Sequence, residues 1–275
     1  MIKIITDTAA DIPADILNEK NITAVPLGVR FTQNGTDLDV ESVQDFWKTL
    51  SSSSFLPKTS APSPGSFAES FLAAQSEGYE GVVCITLASE FSGTYDAALA
   101  GAKEVNGFPI EVIDSKSVTL GEGLLVLFAV ELAENNLPFK EIVSSVYTKR
   151  DKIKVIALLD TLEYLKMGGR IGPLSSMIGT LLSVKPILGI TFGKLIPLGK
   201  QRTRSKGLDF LINSLNTTAE LEKVAVVHSM APDIDNIAES VKNIVKTDDV
   251  LVSYIGPIIG TYSGPGTIGF CIMEK

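Results

Sequence analysis

Short apolar runs alternate with longer, more polar stretches along the first half of the chain. Residues 2–6, 81–87 and 109–113 are nearly continuous apolar runs, which are typical of strands buried on both faces of a sheet. Residues 24–32 also predict a strand, and Asn34-Gly35 favours a hairpin to another strand over 36–39. Helices are predicted over residues 13–20, 42–50, 94–105, 123–135 and 139–149. This alternation as far as residue 150 predicts a parallel sheet with helices on both faces.

The segment between the predicted helix 42–50 and the strand at 81 is rich in serine and proline. Residues 51–66 are expected to be mostly loop. Ser63 and Pro64 fit the N-cap and first position of a further helix, whose buried face is expected to carry Phe67, Phe71 and Leu72.

The second half has a different pattern. Strands are predicted over 154–159, 187–191, 194–198, 223–228, 250–255 and 267–273, with a hairpin turn at Phe192-Gly193. Helices are predicted over 161–167, 173–182, 206–217 and 233–246, the first of them stopped by Gly168-Gly169. Hairpin-linked strands mixed with helices predict a separate α+β domain. We therefore expect two domains, 1–150 and 151–275.

Composition narrows the classes of function. The 275 residues carry 24 Lys and Arg against 32 Asp and Glu, a net charge of −8, which argues against nucleic acid or an anionic membrane as a partner. The longest apolar stretch, 124–133, contains Glu131 and is far shorter than the roughly 20 residues of a membrane span. No secretory leader is recognisable at the start, so a cytoplasmic location is expected. One His and two distant Cys argue against a metal site or a disulfide framework.

Several short motifs fail in their context. Residues 264–269 match GxGxxG but precede a predicted strand and contain proline, so we expect no dinucleotide cofactor. Asp7 and Asp11 fit helix caps better than a metal pair, and His228 lacks a nucleophile motif. Asp114 fits a role in a turn better than a contact to a ligand.

Three segments carry more glycine and small hydroxyl residues than simple turns require: residues 58–63, 90–95 and 165–173. The second opens a predicted helix, where backbone N–H groups favour an anion, with Thr59 and Ser92 as additional donors. Capping of that helix by Ser92 is the competing interpretation and the one that the sequence alone favours, and the two roles can coexist. Arg170 in the third segment, and Arg202 with Arg204, fit either a solvated surface or recognition of an anionic group or acidic partner.

These segments, together with others along the chain, resemble the DegV family of bacterial proteins. The resemblance extends nearly from end to end. The resemblance is carried by residues 6–11, 58–63, 91–95, 112–115, 162–172, 184–188, 201–202 and 256–266. It implies an α/β protein of two domains: an N-terminal three-layer α/β/α domain with a mostly parallel sheet, and a C-terminal two-layer domain with a mixed sheet.

The resemblance also implies a function. One long-chain fatty acid would lie in a tunnel between the domains, and a separate ATP-binding kinase subunit would phosphorylate its carboxylate to an acyl phosphate. The chain itself would then be a non-catalytic binding subunit without a cofactor. Residues carried over for the carboxylate are Thr59, Ser60, Ser92, Gly93, Thr94 and Tyr262, with Arg170 and Arg202 near the head group or the docking surface for the kinase. Phe31, Met177, Leu181 and Ile190 are expected to shape the acyl pocket.

One departure from the family pattern concerns Tyr262, which stands where the family often has His. A phenol still donates a hydrogen bond but carries no positive charge at neutral pH. Glu90 adds a negative charge near the proposed anion site and is expected to face solvent. Two other interpretations stay open: a lipid-binding regulatory protein without a kinase partner, and a stand-alone enzyme of unknown chemistry.

Overall fold

The computed structural model describes residues 1–33, 36–38, 42–172, 174–175, 184–218, 220–247 and 249–275. The strands are β1 (Ile2–Asp7), β2 (Thr23–Val25), β3 (Gly28–Gln33), β4 (Thr36–Leu38), β5 (Lys58–Ser60), β6 (Gly81–Thr86), β7 (Ile110–Asp114), β8 (Ile153–Leu158), β9 (Lys185–Thr191), β10 (Lys194–Gln201), β11 (Leu221–His228), β12 (Leu251–Tyr254) and β13 (Ile268–Glu274). The helices are α1 (Ala14–Glu19), α2 (Val43–Ser52), α3 (Pro64–Ser76), α4 (Thr94–Lys103), α5 (Leu120–Glu134), α6 (Phe139–Arg150), α7 (Glu163–Met167), α8 (Arg204–Thr217), α9 (Ile234–Val245) and α10 (Pro257–Ser263).

The first half forms a parallel sheet in the order β2-β1-β6-β7. Every residue of β1 and of β6 is buried, as the continuous apolar runs predict. Helices α3 and α4 pack on one face of this sheet and α5 on the other. The predicted parallel sheet covered on both faces is therefore confirmed.

The second half forms a mixed sheet in the order β10-β9-β8-β13-β11-β12. Its neighbours are antiparallel except for the β11–β12 pair. Phe192 and Gly193 both have positive φ, 51° and 77°, which is the backbone of a primed turn and confirms the hairpin between β9 and β10. Helices α8 and α9 pack on the outer face of the sheet.

Helix α5 lies between the two sheets and contacts β1 and β6 on one side and β8, β11 and β13 on the other. This position explains why its sequence is apolar on every side, because both faces are removed from water. It also means that the two halves share one hydrophobic core, which contains Val83 and Ile113 as well as Val155 and Val227. None of the helices in the described ranges is long and apolar enough to cross a bilayer.

Four sequence predictions need correction. Residues 24–32 form two strands rather than one, because Pro26 has no N–H to continue β2. Residues 58–60 of the expected loop form β5, which pairs with β3. Leu72 is 48% exposed, although Phe67 and Phe71 of the same helix are fully buried. Residues 257–263 form helix α10, which the sequence did not predict.

Other predictions hold or lie outside the described residues. Ser63 caps α3 by accepting a hydrogen bond from the Ser66 N–H, with Pro64 in the first turn. Strands β3 and β4 pair antiparallel as expected, but the Asn34-Gly35 turn between them lies outside the described residues. Apart from residues 174–175, the predicted helix over 173–182 also lies outside them, and so do Met177 and Leu181.

Candidate functional site

A cavity of about 210 Å³ lies against the face of the mixed sheet that is turned toward α5. Strands β8 and β9 supply its floor through Val155, Ala157, Leu188 and Ile190. The opposite wall comes from loops at the carboxyl ends of the parallel strands and from α10. The other apolar lining residues are Leu27, Ala61, Leu87, Phe91, Val118, Leu159, Leu165, Leu195, Val227, Ile255, Ile258 and Ile259. Phe31, expected to shape the pocket, instead packs in the core against Phe46.

Thr59 on β5 and Tyr262 on α10 meet at the cavity wall. Their hydroxyl groups are 2.5 Å apart, and either one can be the donor. The Tyr262 ring lies so close to Gly168 that a Cβ on that residue would be 2.4 Å from the ring. Glycine is therefore required at 168 for the tyrosine to occupy this position.

Arg170 extends the same polar surface. Its guanidinium lies 4.9 Å from the centre of the Tyr262 ring and donates to the carbonyls of Gly168 at 2.8 Å and Phe91 at 3.5 Å. The backbone is turned by Gly169, whose φ is 72°, and the Arg170 N–H bonds back to the Leu165 carbonyl. The glycine pair thus ends α7, as predicted, and aims Arg170 at the tyrosine.

Ser92, Gly93 and Thr94 form the start of α4. The N-cap position is Gly93, which makes no side-chain cap bond, and the Ser92 hydroxyl pairs with the Thr94 hydroxyl at 2.9 Å. The interpretation of Ser92 as the helix cap, favoured on sequence alone, is therefore wrong. Ser92 and Gly93 line the cavity, whereas Thr94 is fully buried beneath Ser92.

Ser60, the remaining residue expected at the carboxylate, also lines the cavity. Its hydroxyl lies over Gly28 on the neighbouring strand, where a Cβ would be 2.4 Å from the Ser60 Oγ. Ser60, Gly93 and Arg170 are all exposed, so the polar part of the wall reaches solvent. Glu90 is exposed as predicted. We call Thr59, Ser92, Arg170 and Tyr262 the hydroxyl–guanidinium cluster.

Arg202 does not reach the cavity. It is exposed at the end of β10 and is absent from the lining residues. Its neighbour Arg204 has a structural role, because it donates twice to Asp233 at 2.8 Å and bonds the Gly266 carbonyl. The resemblance implies a position for Arg202 near the head group or the docking surface; the residue is exposed and is not among those that line the cavity.

Three carboxyl residues adjoin the cavity and are called the carboxyl cluster below: Asp7 and Glu122, which are fully buried, and Asp11, which is partly buried. Asp7 caps the turn at residues 8–10 by accepting from the Ala9 N–H at 2.8 Å, as predicted, and also accepts from the Leu87 N–H at 2.9 Å. Burial raises the pKa of Asp7 and of Asp11 to about 7, and raises that of Glu122 well above its ordinary value.

Asp7 and Glu122 lie close enough that each carboxyl group affects the pKa of the other. Thr6 donates to Glu122 Oε1 at 3.0 Å, and Glu122 Oε2 has no N–H or O–H partner among the described residues. Two carboxyl groups form a hydrogen bond only if one carries a proton. Because Asp7 already accepts two backbone N–H groups, we assign the proton to Glu122. Glu122 was not among the predicted site residues, although an acidic residue in the first turn of a helix, followed by a long apolar run, was a usable signal.

The described residues contain no group of His, Cys, Asp and Glu suited to hold a metal ion. His228 is buried and stacked on Tyr254 with ring centres 4.5 Å apart, and burial lowers its pKa. Asp114 accepts from the Lys116 N–H and from Ser89, so it forms a turn, as expected. Residues 264–269 follow α10 and lead into β13. The GxGxxG match therefore precedes a strand, as predicted.

Comparison with known proteins identifies the family. The model described as "Uncharacterised protein, DegV family" matches residues 1–275, and the chain belongs to the DegV family. A DegV domain-containing protein of Caldanaerobacter subterraneus is 35% identical over 283 residues, covering 100% of this chain and 99% of the relative. A Thermotoga maritima protein named fatty acid-binding protein is 31% identical over 280 residues, covering 98% of this chain and 97% of the relative.

A solved structure gives the same result. The stearic acid-binding protein of Eubacterium ventriosum matches with a TM-score of 0.88 and 28% identity, over 100% of this chain and 99% of that one. The resemblance drawn from the motifs and the expected α/β fold are thus confirmed. Relatives of this chain in the DegV family bind fatty acids.

Proposed function

We propose that this chain binds one long-chain fatty acid in the cavity and presents its carboxylate to a separate ATP-dependent kinase subunit. The observation that carries the proposal is a cavity whose lining is predominantly apolar but includes the hydroxyl–guanidinium cluster, part of which reaches solvent. A long apolar chain with an anionic end matches this distribution.

The cluster has hydrogen-bond donors to spare. The Thr59–Tyr262 contact uses one of two hydroxyl hydrogens, and the Ser92–Thr94 contact does the same, so each pair retains one donor. The Arg170 guanidinium has five N–H groups, and the two acceptors named above leave some of them free. A carboxylate accepts hydrogen bonds only and has about four acceptor positions, so it matches this surplus.

Apolar burial would supply most of the affinity. A chain of about 16 methylene groups gains on the order of 13 kcal/mol at roughly 0.8 kcal/mol each. Ordering the chain and restricting its motion offset much of this gain. The cluster would then fix which end of the ligand faces the opening.

The proposed chemistry takes place with the partner's help. A carboxylate oxygen attacks the terminal phosphorus of ATP, ADP leaves, and the product is an acyl phosphate. The carboxylate is already ionised and needs no general base, but the transferred phosphate needs several cationic groups, and in the cavity lining of the described residues Arg170 is the one basic side chain. We therefore assign phosphoryl transfer to the partner, and propose domains 1–150 and 151–275 with the ligand between them.

The first test is extraction of the purified protein with organic solvent, followed by mass spectrometry. We expect close to one fatty acid per chain, or uptake of added palmitic acid to that ratio. No bound acyl chain and no uptake would contradict the proposal. A different bound lipid would favour a regulatory lipid-binding protein.

The kinase step has a separate test that uses Arg202. Arg202→Ala is expected to bind palmitic acid normally, because the residue lies outside the cavity, but to slow acyl phosphate formation with the ATP-binding partner. Lys206→Ala, which removes an exposed charge from the first turn of α8, is the control. Turnover of ATP by the chain alone would instead support a stand-alone enzyme.

A further inference from the structure

Asp11 joins the two halves of the chain at a point beside the cavity. Its carboxyl accepts from the Thr119 hydroxyl at 2.6 Å and from the Gly256 N–H at 3.0 Å, while its carbonyl accepts from the Ser253 hydroxyl at 2.9 Å. Ser253 and Gly256 lie at the end of β12 and directly before α10. Asp11 therefore holds the entry to α10 through two hydrogen bonds, and the third links it to Thr119 at the start of α5.

The backbone at this contact is closely fitted. Asp11 adopts a left-handed conformation with φ 52°, and Thr119 has φ 49°, which is unusual for a β-branched residue. A Cβ on Gly256 would lie 2.5 Å from the Asp11 carboxylate, so only glycine allows the approach. Such conformations persist only where the surroundings hold them in place.

A second contact fixes the same helix from α2. Trp47 donates from Nε1 to the Ile255 carbonyl at 3.1 Å, and its ring packs where a Cβ on Gly260 would be 2.8 Å away. Helix α10 spans seven residues and carries Tyr262 near its end. Because the helix is less than two turns long, a shift at Gly256 is transmitted directly to Tyr262.

We infer that Asp11 is a positioning residue for the head-group site, which places Tyr262 against Thr59 by holding the start of α10. This inference rests on the proposed fatty-acid binding and adds a residue that does not itself line the cavity. The role requires one hydrogen bond to Gly256 and one to Thr119 at fixed positions, rather than a negative charge. An asparagine can meet this requirement, because its oxygen can accept from Gly256 while its amide donates to the Thr119 hydroxyl.

The test compares affinity for palmitic acid with affinity for 1-hexadecanol, which has the same chain length but no carboxylate. Asp11→Ala is expected to weaken palmitic acid binding about tenfold, the usual effect of losing a hydrogen bond to a charged group, and hexadecanol binding less than about twofold. Asp11→Asn is expected to restore both affinities to within about threefold of the unaltered protein. Asp15→Asn, an exposed carboxyl on α1, is the matched control and should change neither.

A double-mutant cycle shows whether Asp11 acts through Tyr262. In a Tyr262→Phe background, Asp11→Ala should reduce palmitic acid affinity by less than about twofold further, since the affected hydroxyl is already absent. Equal losses for both ligands, or an undiminished effect in that background, would overturn the inference. If Asp11→Ala does not fold, Gly256→Ala displaces the same contact from the other side and is judged by the same criteria.

The two proposals fail in different ways. A wild-type protein that binds palmitic acid and hexadecanol equally well would contradict the proposed head-group site, and this inference with it. A wild-type protein that prefers the acid, with an Asp11→Ala variant that keeps the full preference, would contradict the inference alone.

Discussion

Two polar clusters lie within this fold, and they differ in their balance of hydrogen-bond donors and acceptors. The hydroxyl–guanidinium cluster at the cavity has more donors than acceptors, and part of it reaches solvent. The carboxyl cluster between β1 and α5 has more acceptors than donors, and its Asp7 and Glu122 are fully buried. The first therefore favours an anionic ligand, whereas the second must retain protons to remain in the core.

The difference separates binding from stability. Hydrogen-bond donors in excess at the cavity opening can bind water or a ligand. Removing one of them should therefore change ligand affinity and leave the fold intact. Acceptors in excess in the core can be paired only with bound protons and backbone N–H groups. Removing one of them should therefore change the free energy of unfolding and its dependence on pH. The following four substitutions test this separation.

The largest effect is expected from Asp7→Ala. The substitution leaves the buried Ala9 and Leu87 N–H groups without their acceptor. Since each orphaned buried polar group costs about 1–3 kcal/mol, the free energy of unfolding should fall by about 2–5 kcal/mol. Urea unfolding followed by circular dichroism measures the change. The exposed control Asp15→Asn should stay within about 0.5 kcal/mol of the unaltered protein, and a similar value for Asp7→Ala would refute the role of the cluster.

The next effect concerns pH. The folded carboxyl cluster titrates near pH 7 or above, whereas unfolded carboxyl groups titrate near pH 4. The folded state therefore binds more protons between these values, and stability should fall as the pH rises from about 4 to about 7. Glu122→Gln keeps the contacts to Thr6 and Asp7 without a titrating proton, so the loss of stability between pH 5 and pH 8 should shrink by about 1–3 kcal/mol. Urea unfolding at a series of pH values measures this difference. If the free energy of unfolding falls by the same amount in both proteins, Glu122 does not hold the proton.

A smaller effect is expected from Arg170→Ala. The guanidinium is exposed, so solvent screens its attraction to the ligand, and palmitic acid affinity should fall about tenfold. The free energy of unfolding should change by less than about 1 kcal/mol. Titration calorimetry at low and at high salt measures the loss, and the control is Lys166→Ala, which removes an exposed charge from the preceding helix α7. An equal loss for Lys166→Ala would point to the overall charge of the surface rather than to a contact.

The smallest effect is expected from Ser92→Ala. One hydroxyl is lost, but Thr94 remains beneath it, so palmitic acid affinity should fall about three- to fivefold. Ser89→Ala in the same loop is the control, because that hydroxyl donates to Asp114 and lies outside the cavity lining. Competition with a fluorescent fatty acid measures both variants. If Ser89→Ala weakens binding as much as Ser92→Ala, the loop as a whole matters rather than the Ser92 hydroxyl.

The sequence predicted the elements whose local signals were strong. The buried strands β1 and β6, the apolar helix α5 and the turn at Phe192 followed from periodicity and glycine placement. Helix α10 was missed because its glycines and prolines suggest a loop. Its boundaries were nevertheless marked, with Pro257 in the first turn and Gly264 at φ 73° just after the end.

The site was predictable only as a set of separate motifs. Thr59 and Tyr262 are 203 positions apart, and nothing local to either residue shows that their hydroxyl groups meet. The role of Ser92 was misjudged because a serine before a helix is usually its cap, whereas the chain here places Gly93 at that position. The links made by Asp11 depend on the packing of the two halves and leave no trace in the periodicity.

The most direct test of the central claim is the titration of a bound fatty acid labelled with carbon-13 at its carboxyl group. If the carboxylate lies in the hydroxyl–guanidinium cluster, donors and the Arg170 charge stabilise its ionised form. Its NMR resonance should then show a pKa below about 4, compared with about 4.3 for an exposed carboxyl group. A pKa well above that reference value would place the carboxyl group in an apolar part of the cavity and contradict the account.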